Sequence, residues 1–283
     1  MKERIGRGMK KGGYFSSKHK GIGGRILSKR GFVALAATVI LLGFGSIAYA
    51  VPKVAHVPAN IKAWWTFDGP TSLGYDRAGN VANNGTTYGN LLSSAIPNTW
   101  WCDRFIIFDG IDDYIQVPHD SEIDVAAGDF SVDFWIRTTK DTGVQTIIDK
   151  RQSYPYKGYA VYLWNGIPGI QLANGVGTQY TNYNSSTSGW IADGNWHHVA
   201  VTVDRDQTNG LKFYIDGSMY PPQNPTNRLG SLSNTKPLRI GLNSFGQYRF
   251  SGDLDELDFV ADVIPELLIK EIYNAGKWGK DKI

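Results

Sequence analysis

Hydrophobic and polar residues alternate with a period of two through most of the chain. In Phe130 to Arg137, Phe130, Val132, Phe134 and Ile136 share one face, with Ser131, Asp133 and Arg137 opposite. Val199, Val201 and Val203 alternate with Ala200, Thr202 and Asp204, and Leu211, Phe213 and Ile215 with Lys212, Tyr214 and Asp216. Successive side chains of a strand point to opposite faces, so each run predicts a strand with one face on a core and the other toward water. Turn residues stand where the runs stop. Asn165-Gly166 and Asp216-Gly217 are hairpin signals, because both central residues of a type I′ turn need positive φ. Asp109-Gly110 and Asn174-Gly175 mark further turns. Many short strands punctuated by Gly and Asn predict an all-β sandwich or jelly roll. One short helix is expected near the C-terminus. Pro265 can open it, Leu267, Leu268, Ile272 and Tyr273 supply an apolar stripe that packs on the sandwich rim, and Gly276 can close it.

The first fifty residues break this pattern. They hold ten Lys and Arg against the single acid Glu3, and Phe32 to Ala50 is an uncharged run closing on Ala48-Tyr49-Ala50. A basic start, an apolar stretch and an A-x-A end are the marks of a secretory signal peptide. A run of this length can also cross a bilayer as a retained anchor. Gly43, Gly45 and Ser46 interrupt its second half, and small residues before Val51 suit a peptidase. The expected organisation is a leader or anchor over 1–50, a linker over 51–60 and one domain over 61–280. The product is then secreted or held at the cell surface, touching membrane only through an uncleaved leader.

That boundary reverses the charge. The whole chain has 29 basic and 26 acidic residues, but residues 51–283 have 19 and 25, a net of −6. The apparent basicity belongs to the leader, which argues against nucleic acid as a partner. Cys102 is the only cysteine, so no intrachain disulfide forms, and its place beside Trp100 and Trp101 reads as a small buried hydrophobe.

Four segments in order resemble the LamG-like, or concanavalin A-like, domain of bacterial extracellular proteins. They are Ala63-Trp64-Trp65-Thr66-Phe67-Asp68, Phe108-Asp109-Gly110-Ile111-Asp112-Asp113-Tyr114-Ile115, Phe130 to Ile136, and Asn195-Trp196-His197-His198 running on to Asp204. Leu211 to Gly217 and Phe250 to Leu257 continue in the family's order. The resemblance implies a two-sheet antiparallel jelly-roll sandwich with one short C-terminal helix. Across that family the fold serves carbohydrate or protein binding and often holds structural calcium, so the implied partner is a glycan or an extracellular protein. Self-association, as in an envelope, sheath or appendage component, is the alternative.

Calcium takes several oxygen ligands. By that resemblance Asp76, in the loop Gly74 to Asn80, and Asp255 match the family's loop acid and late acid, and Asp68 is a third candidate. Capping of turns explains such acids equally well, and turn chemistry suffices for Asp109, Asp112 and Asp113. An enzymatic alternative rests on Asp253, Asp255 and Asp258. These match a Glu-x-Asp-x-x-Glu strand of glucanases sharing this general fold, but with aspartate at both glutamate positions. A retaining glycosidase needs two carboxyl groups about 5–5.5 Å apart, and the shorter side chains pull them back, so the chain is expected not to be an enzyme. His197 and His198 are neighbours on one strand, point to opposite faces and cannot chelate one metal together.

Aromatic residues carry the remaining signal. Flat rings against apolar sugar faces, with polar neighbours fixing orientation, are a general way to hold a small ligand. The Tyr159 to Trp164 stretch could border such a cleft. Tyr154, Tyr156, Tyr180, Tyr183 and Trp190 are the ligand-binding candidates.

Overall fold

The computed structural model describes residues 58–68, 72–95, 104–176 and 179–276. The leader, most of the linker and Cys102 lie outside them. Strands follow in order as β1 (Ile61–Trp65), β2 (Thr86–Tyr88), β3 (Leu92–Ala95), β4 (Arg104–Asp109) and β5 (Tyr114–Val117). Next come β6 (Phe130–Arg137), β7 (Val144–Gln152), β8 (Lys157–Trp164), β9 (Ile167–Asn174) and β10 (Thr181–Asn184). The last are β11 (His197–Val203), β12 (Leu211–Ile215), β13 (Ser218–Met219), β14 (Leu238–Ile240) and β15 (Ser251–Val260), before helix α1 (Glu266–Gly276).

All pairings are antiparallel and form two sheets. The first runs β13-β12-β11-β6-β15-β4-β3 with β1 also on β15; the second runs β10-β9-β8-β7-β14-β5-β2. Both hairpin signals are realised: Asn165 and Gly166 have φ of 50° and 77°, Asp216 and Gly217 of 52° and 73°. Phe130, Val132, Phe134 and Ile136 meet Tyr159, Val161 and Leu163 in the core between the sheets. The alternation therefore predicts the inner faces correctly.

It misjudges one outer face. Ser131, Asp133 and Trp135 on β6 are buried as well, because α1 lies across the outside of the first sheet instead of on the rim. Ile264 and Ile269 pack there on Ala200, Tyr214 and Val260, and Tyr273 stacks on Trp135 with ring centroids 6.0 Å apart. Leu267 is solvent-facing, and Ile269 takes the inward place instead.

A buried ion pair ties the second sheet to the segment before β6, and hydrogen bonds carry it on to the loop before β14. The Lys150 ammonium, fully buried, donates to Asp124 at 3.1 Å and to the Asn234 carbonyl at 2.8 Å. Asn234 in turn donates to the Lys150 carbonyl. A buried ammonium is tolerated only with such partners.

Candidate functional site

Among the described residues no helix covers the outer face of the second sheet. On β8 the residues between the core positions, Ala160, Tyr162 and Trp164, point outward and form the floor and one wall of a groove of about 450 Å³. The Tyr162 ring lies over Gly169 of β9, where an added Cβ would come within 2.7 Å of it. Its hydroxyl donates to Asn184 Oδ1 at 2.9 Å, and burial lifts that hydroxyl well above the ordinary tyrosine range. On β9, Gln171 donates to Asn182 Oδ1 at 2.6 Å. The oxygens of Asn182 and Asn184 are thus engaged, leaving their amide NH2 groups as what they can offer a ligand.

A turn between β14 and β15 builds the opposite wall. Asn243 is buried, and its Oδ1 accepts the Phe245 and Gln247 N–H groups at 3.1 and 2.6 Å. Phe245 and Tyr248 are displayed half-exposed at the groove. Tyr248 has a φ of 54°, an uncommon conformation for a bulky residue that clusters at ligand-binding positions. Its carbonyl accepts the Thr146 N–H at 2.8 Å, which fixes the turn on β7.

Arg151, near the end of β7, lines the groove beside Phe245. Its guanidinium pairs with the fully buried Asp149 carboxylate, donates to Gln171 and sits 5.4 Å from the Phe245 ring centre. Asp149 also accepts from Ser244 at 2.8 Å. The groove is therefore lined by six aromatic and five amide side chains and no carboxylate.

The predicted ligand residues separate. Tyr156 and Tyr180 meet edge to face, centroids 5.7 Å apart, and line the groove together. Tyr154 is highly exposed and Trp190 half-exposed, and neither lines the groove. Trp190 instead abuts Gly166 of the β8–β9 hairpin. Tyr183 is a correction: it falls on β10 with core parity, is buried, and donates its hydroxyl to Asn227 at 2.5 Å. Sequence reading missed Phe245, Tyr248 and the amides around them. One legible sign was passed over: Gly158 to Ala192 is 35 residues without a charge, and it supplies most of the groove.

The expected metal set does not assemble. Asp68 accepts the Arg104 N–H and pairs with Arg77, while Asp255 is buried and accepts the Glu256 N–H. Among the described residues the one carboxylate trio within 4.8 Å is Asp109, Asp112 and Asp113. Its geometry is that of a turn, with Asp109 accepting from Ile111 and Asp112 and Asp113 accepting from Asp109. Asp76 is different. One oxygen accepts from the Trp64 and Ala78 N–H groups at 2.7 and 2.9 Å, while Oδ2 is buried without a partner. The Asn83 side chain lies beside it and also has a buried, unpartnered oxygen, and the Glu122 charge is near. Burial, with a smaller push from Glu122, raises the Asp76 carboxyl despite those N–H donors and the Asn83 side chain, all of which favour its charged form. Oxygens of this kind suit calcium; Asp68 and Asp255 do not belong to the set.

The acid-rich strand also turns away from the groove. Asp253, Asp255 and Asp258 lie on β15 in the first sheet. Asp253 is held by Arg137 at 2.6 Å, and Asp258 is fully buried, its carboxylate accepting the Asp133 backbone N–H at 3.3 Å. Neither residue lines the groove.

Two antiparallel sheets with an open aromatic and amide groove on one outer face define a lectin-type sandwich in architecture. Residues 109–267, 159 of the 283, match the concanavalin A-like lectin/glucanases superfamily, and the chain belongs to that family. A 100-residue stretch is 27% identical to adhesion G-protein coupled receptor V1 of Danio rerio, covering 35% of this chain and 2% of the receptor. The binding domain of Paraclostridial Mosquitocidal Protein 1 superposes with a TM-score of 0.59 at 17% identity, over 76% of this chain and 52% of that one. Domain 4 of AbnA, an extracellular arabinanase of Geobacillus stearothermophilus solved with arabinotriose, gives 0.57 at 18% identity, over 75% and 97%. At such identities the structures share a fold alone. No described helix is long and apolar enough to cross a membrane.

Proposed function

We propose that this chain is an exported, non-catalytic module that binds carbohydrate in the groove on the second sheet. The observation that carries it is the lining: half-exposed Trp164, Tyr180, Phe245 and Tyr248 beside amide donors. Rings of this kind cover the apolar faces of sugars, and amides set their orientation. The absence of a lining carboxylate supports binding without hydrolysis, because glycoside cleavage needs a pair of them. Arabinotriose in the AbnA domain is consistent with such use of the fold, and fold alone does not assign function.

The test is retention of the full chain on a panel of polysaccharides, repeated with Trp164→Ala and Tyr180→Ala. Each variant should weaken binding about tenfold, equivalent to ~1.4 kcal/mol. Neither should move the melting temperature by more than about 4 °C, since both rings are half-exposed. Retention of nothing, with self-assembly in its place, would favour the envelope or appendage role.

A further inference from the structure

The groove continues beyond its aromatic walls, and the continuation bears on the chemistry of the ligand, given the carbohydrate reading above. At the Arg151 end it opens into a hollow of about 250 Å³ bordered by Lys236 and Arg239. At the Val144 end it meets a shallow hollow of about 420 Å³ bordered by Lys140 and Arg249. Val144 and Arg151 are both on β7, and at about 3.3 Å per residue the two ends lie roughly 23 Å apart. Among the described residues five cations line this track and no carboxylate does, the nearest acids in sequence being Asp109 beside Gly110 and Asp141 beside Lys140.

Only Arg151 among the five has a carboxylate within ion-pair distance, that of Asp149, which also stands opposite Arg239 in the register of β7 and β14. Arg239 has uncharged partners: Gln116 Oε1 at 3.3 Å, the Asn243 carbonyl at 3.2 Å and the Tyr114 ring at 5.7 Å. Arg249 keeps a buried Nη1 without an acceptor. Lys140 and Lys236 are exposed and have no acidic partner among the described residues. Residues 51–283 carry a net charge of −6, so a track lined by five cations runs against the charge of the domain as a whole. A neutral ligand makes no use of such an arrangement. A polyanion does, because like charges spaced along one groove add to a field that draws it in.

We infer that the ligand is an acidic polysaccharide whose carboxylate or sulfate groups reach the cationic ends while its rings lie on the uncharged centre. Nucleic acid fits less well. Its backbone carries a charge at every phosphate, and the centre, drawn from the uncharged segment Gly158 to Ala192, would leave those charges unmatched.

The decisive experiment measures binding of the full chain to polygalacturonate and dextran sulfate, with arabinan and dextran as neutral controls, at 50 and 500 mM NaCl. The acidic polymers should bind more tightly and lose about tenfold in affinity at the higher salt. The two exposed changes Lys140→Glu and Lys236→Glu together should cost a further tenfold or more, and Arg249→Gln should weaken binding in the same direction. Preference between the two acidic polymers tells carboxylate from sulfate. Equal binding of the neutral controls, indifferent to salt and to charge reversal, overturns this inference and leaves the carbohydrate reading standing. Retention of no polysaccharide overturns both. A single-stranded oligonucleotide that binds as tightly as the acidic polymers overturns the assignment to polysaccharide.

Discussion

At His197 one imidazole bridges two carboxylates, with Nδ1 2.8 Å from Asp216 and Nε2 3.1 Å from Asp193. Both ring nitrogens donate only in the protonated form. The hydrogen bond to Asp216 is the main reason its pKa is raised, against the cost of partial burial. A raised folded pKa means the stabilisation is fully present below the unfolded value near 6.5 and is lost as pH rises through the folded one. The domain should therefore melt lower at pH 9 than at pH 6, by on the order of 1 kcal/mol for this contact. His197→Gln should abolish that step, and an unchanged pH profile in the variant would refute the assignment. The strand pattern had already put His197 and His198 on opposite faces. What it could not show is the partners, since Asp193 and Asp216 reach His197 only through a loop and a hairpin.

At the scale of elements, legibility followed how far a neighbour in sequence decides the environment. Inner faces of β6, β11 and β12 were readable because apolar residues at period two need a core whatever covers the outside. The outer face of β6 was not, because Asp133 and Ser131 look solvated until α1, more than a hundred residues later, is laid over them. The groove divides in the same way. Tyr162 and Trp164 stand on a readable strand, and Tyr183 misled only because its parity on β10 was not followed. Phe245 and Tyr248 sit in a turn that reaches the groove solely because β14 pairs with β7. That turn depends on Asn243, whose side-chain oxygen holds two of its N–H groups. Asn243→Ala should release the wall. We expect glycan affinity to fall about tenfold or more, with a stability loss of only about 1–2 kcal/mol from the broken hydrogen bonds. Comparing binding isotherms with thermal melts separates the two effects, and a loss of stability without loss of affinity would count against the role given to the turn.

At the scale of the molecule, the sandwich uses its two outer faces differently, and the loop around Asp76 bears on how the whole is held. The first sheet is capped by α1, while among the described residues no helix covers the second. The Asp76 loop is tied to β1 by the bond from the Trp64 N–H and to the segment after β5 by Asn80, which donates to Glu122 at 2.5 Å. Two buried oxygens there, Asp76 Oδ2 and Asn83 Oδ1, lack partners, a costly arrangement that a cation would relieve. Calcium would supply that charge, and Asp76 and Asn83, with Glu122 close by, are the residues that would hold it. A ligand that binds only the folded state at a hundred times its Kd stabilises by about 2.7 kcal/mol. For a domain of this size that corresponds to a rise of roughly 5–10 °C in melting temperature. Calcium at millimolar concentration should produce such a shift, chelator should reverse it, and Asp76→Asn should remove it while Asp68→Asn leaves it intact. Titration calorimetry with calcium alone gives a readout independent of any glycan. No heat and no thermal shift would leave Asp76 as the anchor of its loop through the Trp64 and Ala78 amides, and would take calcium out of the account of how this sandwich is held together.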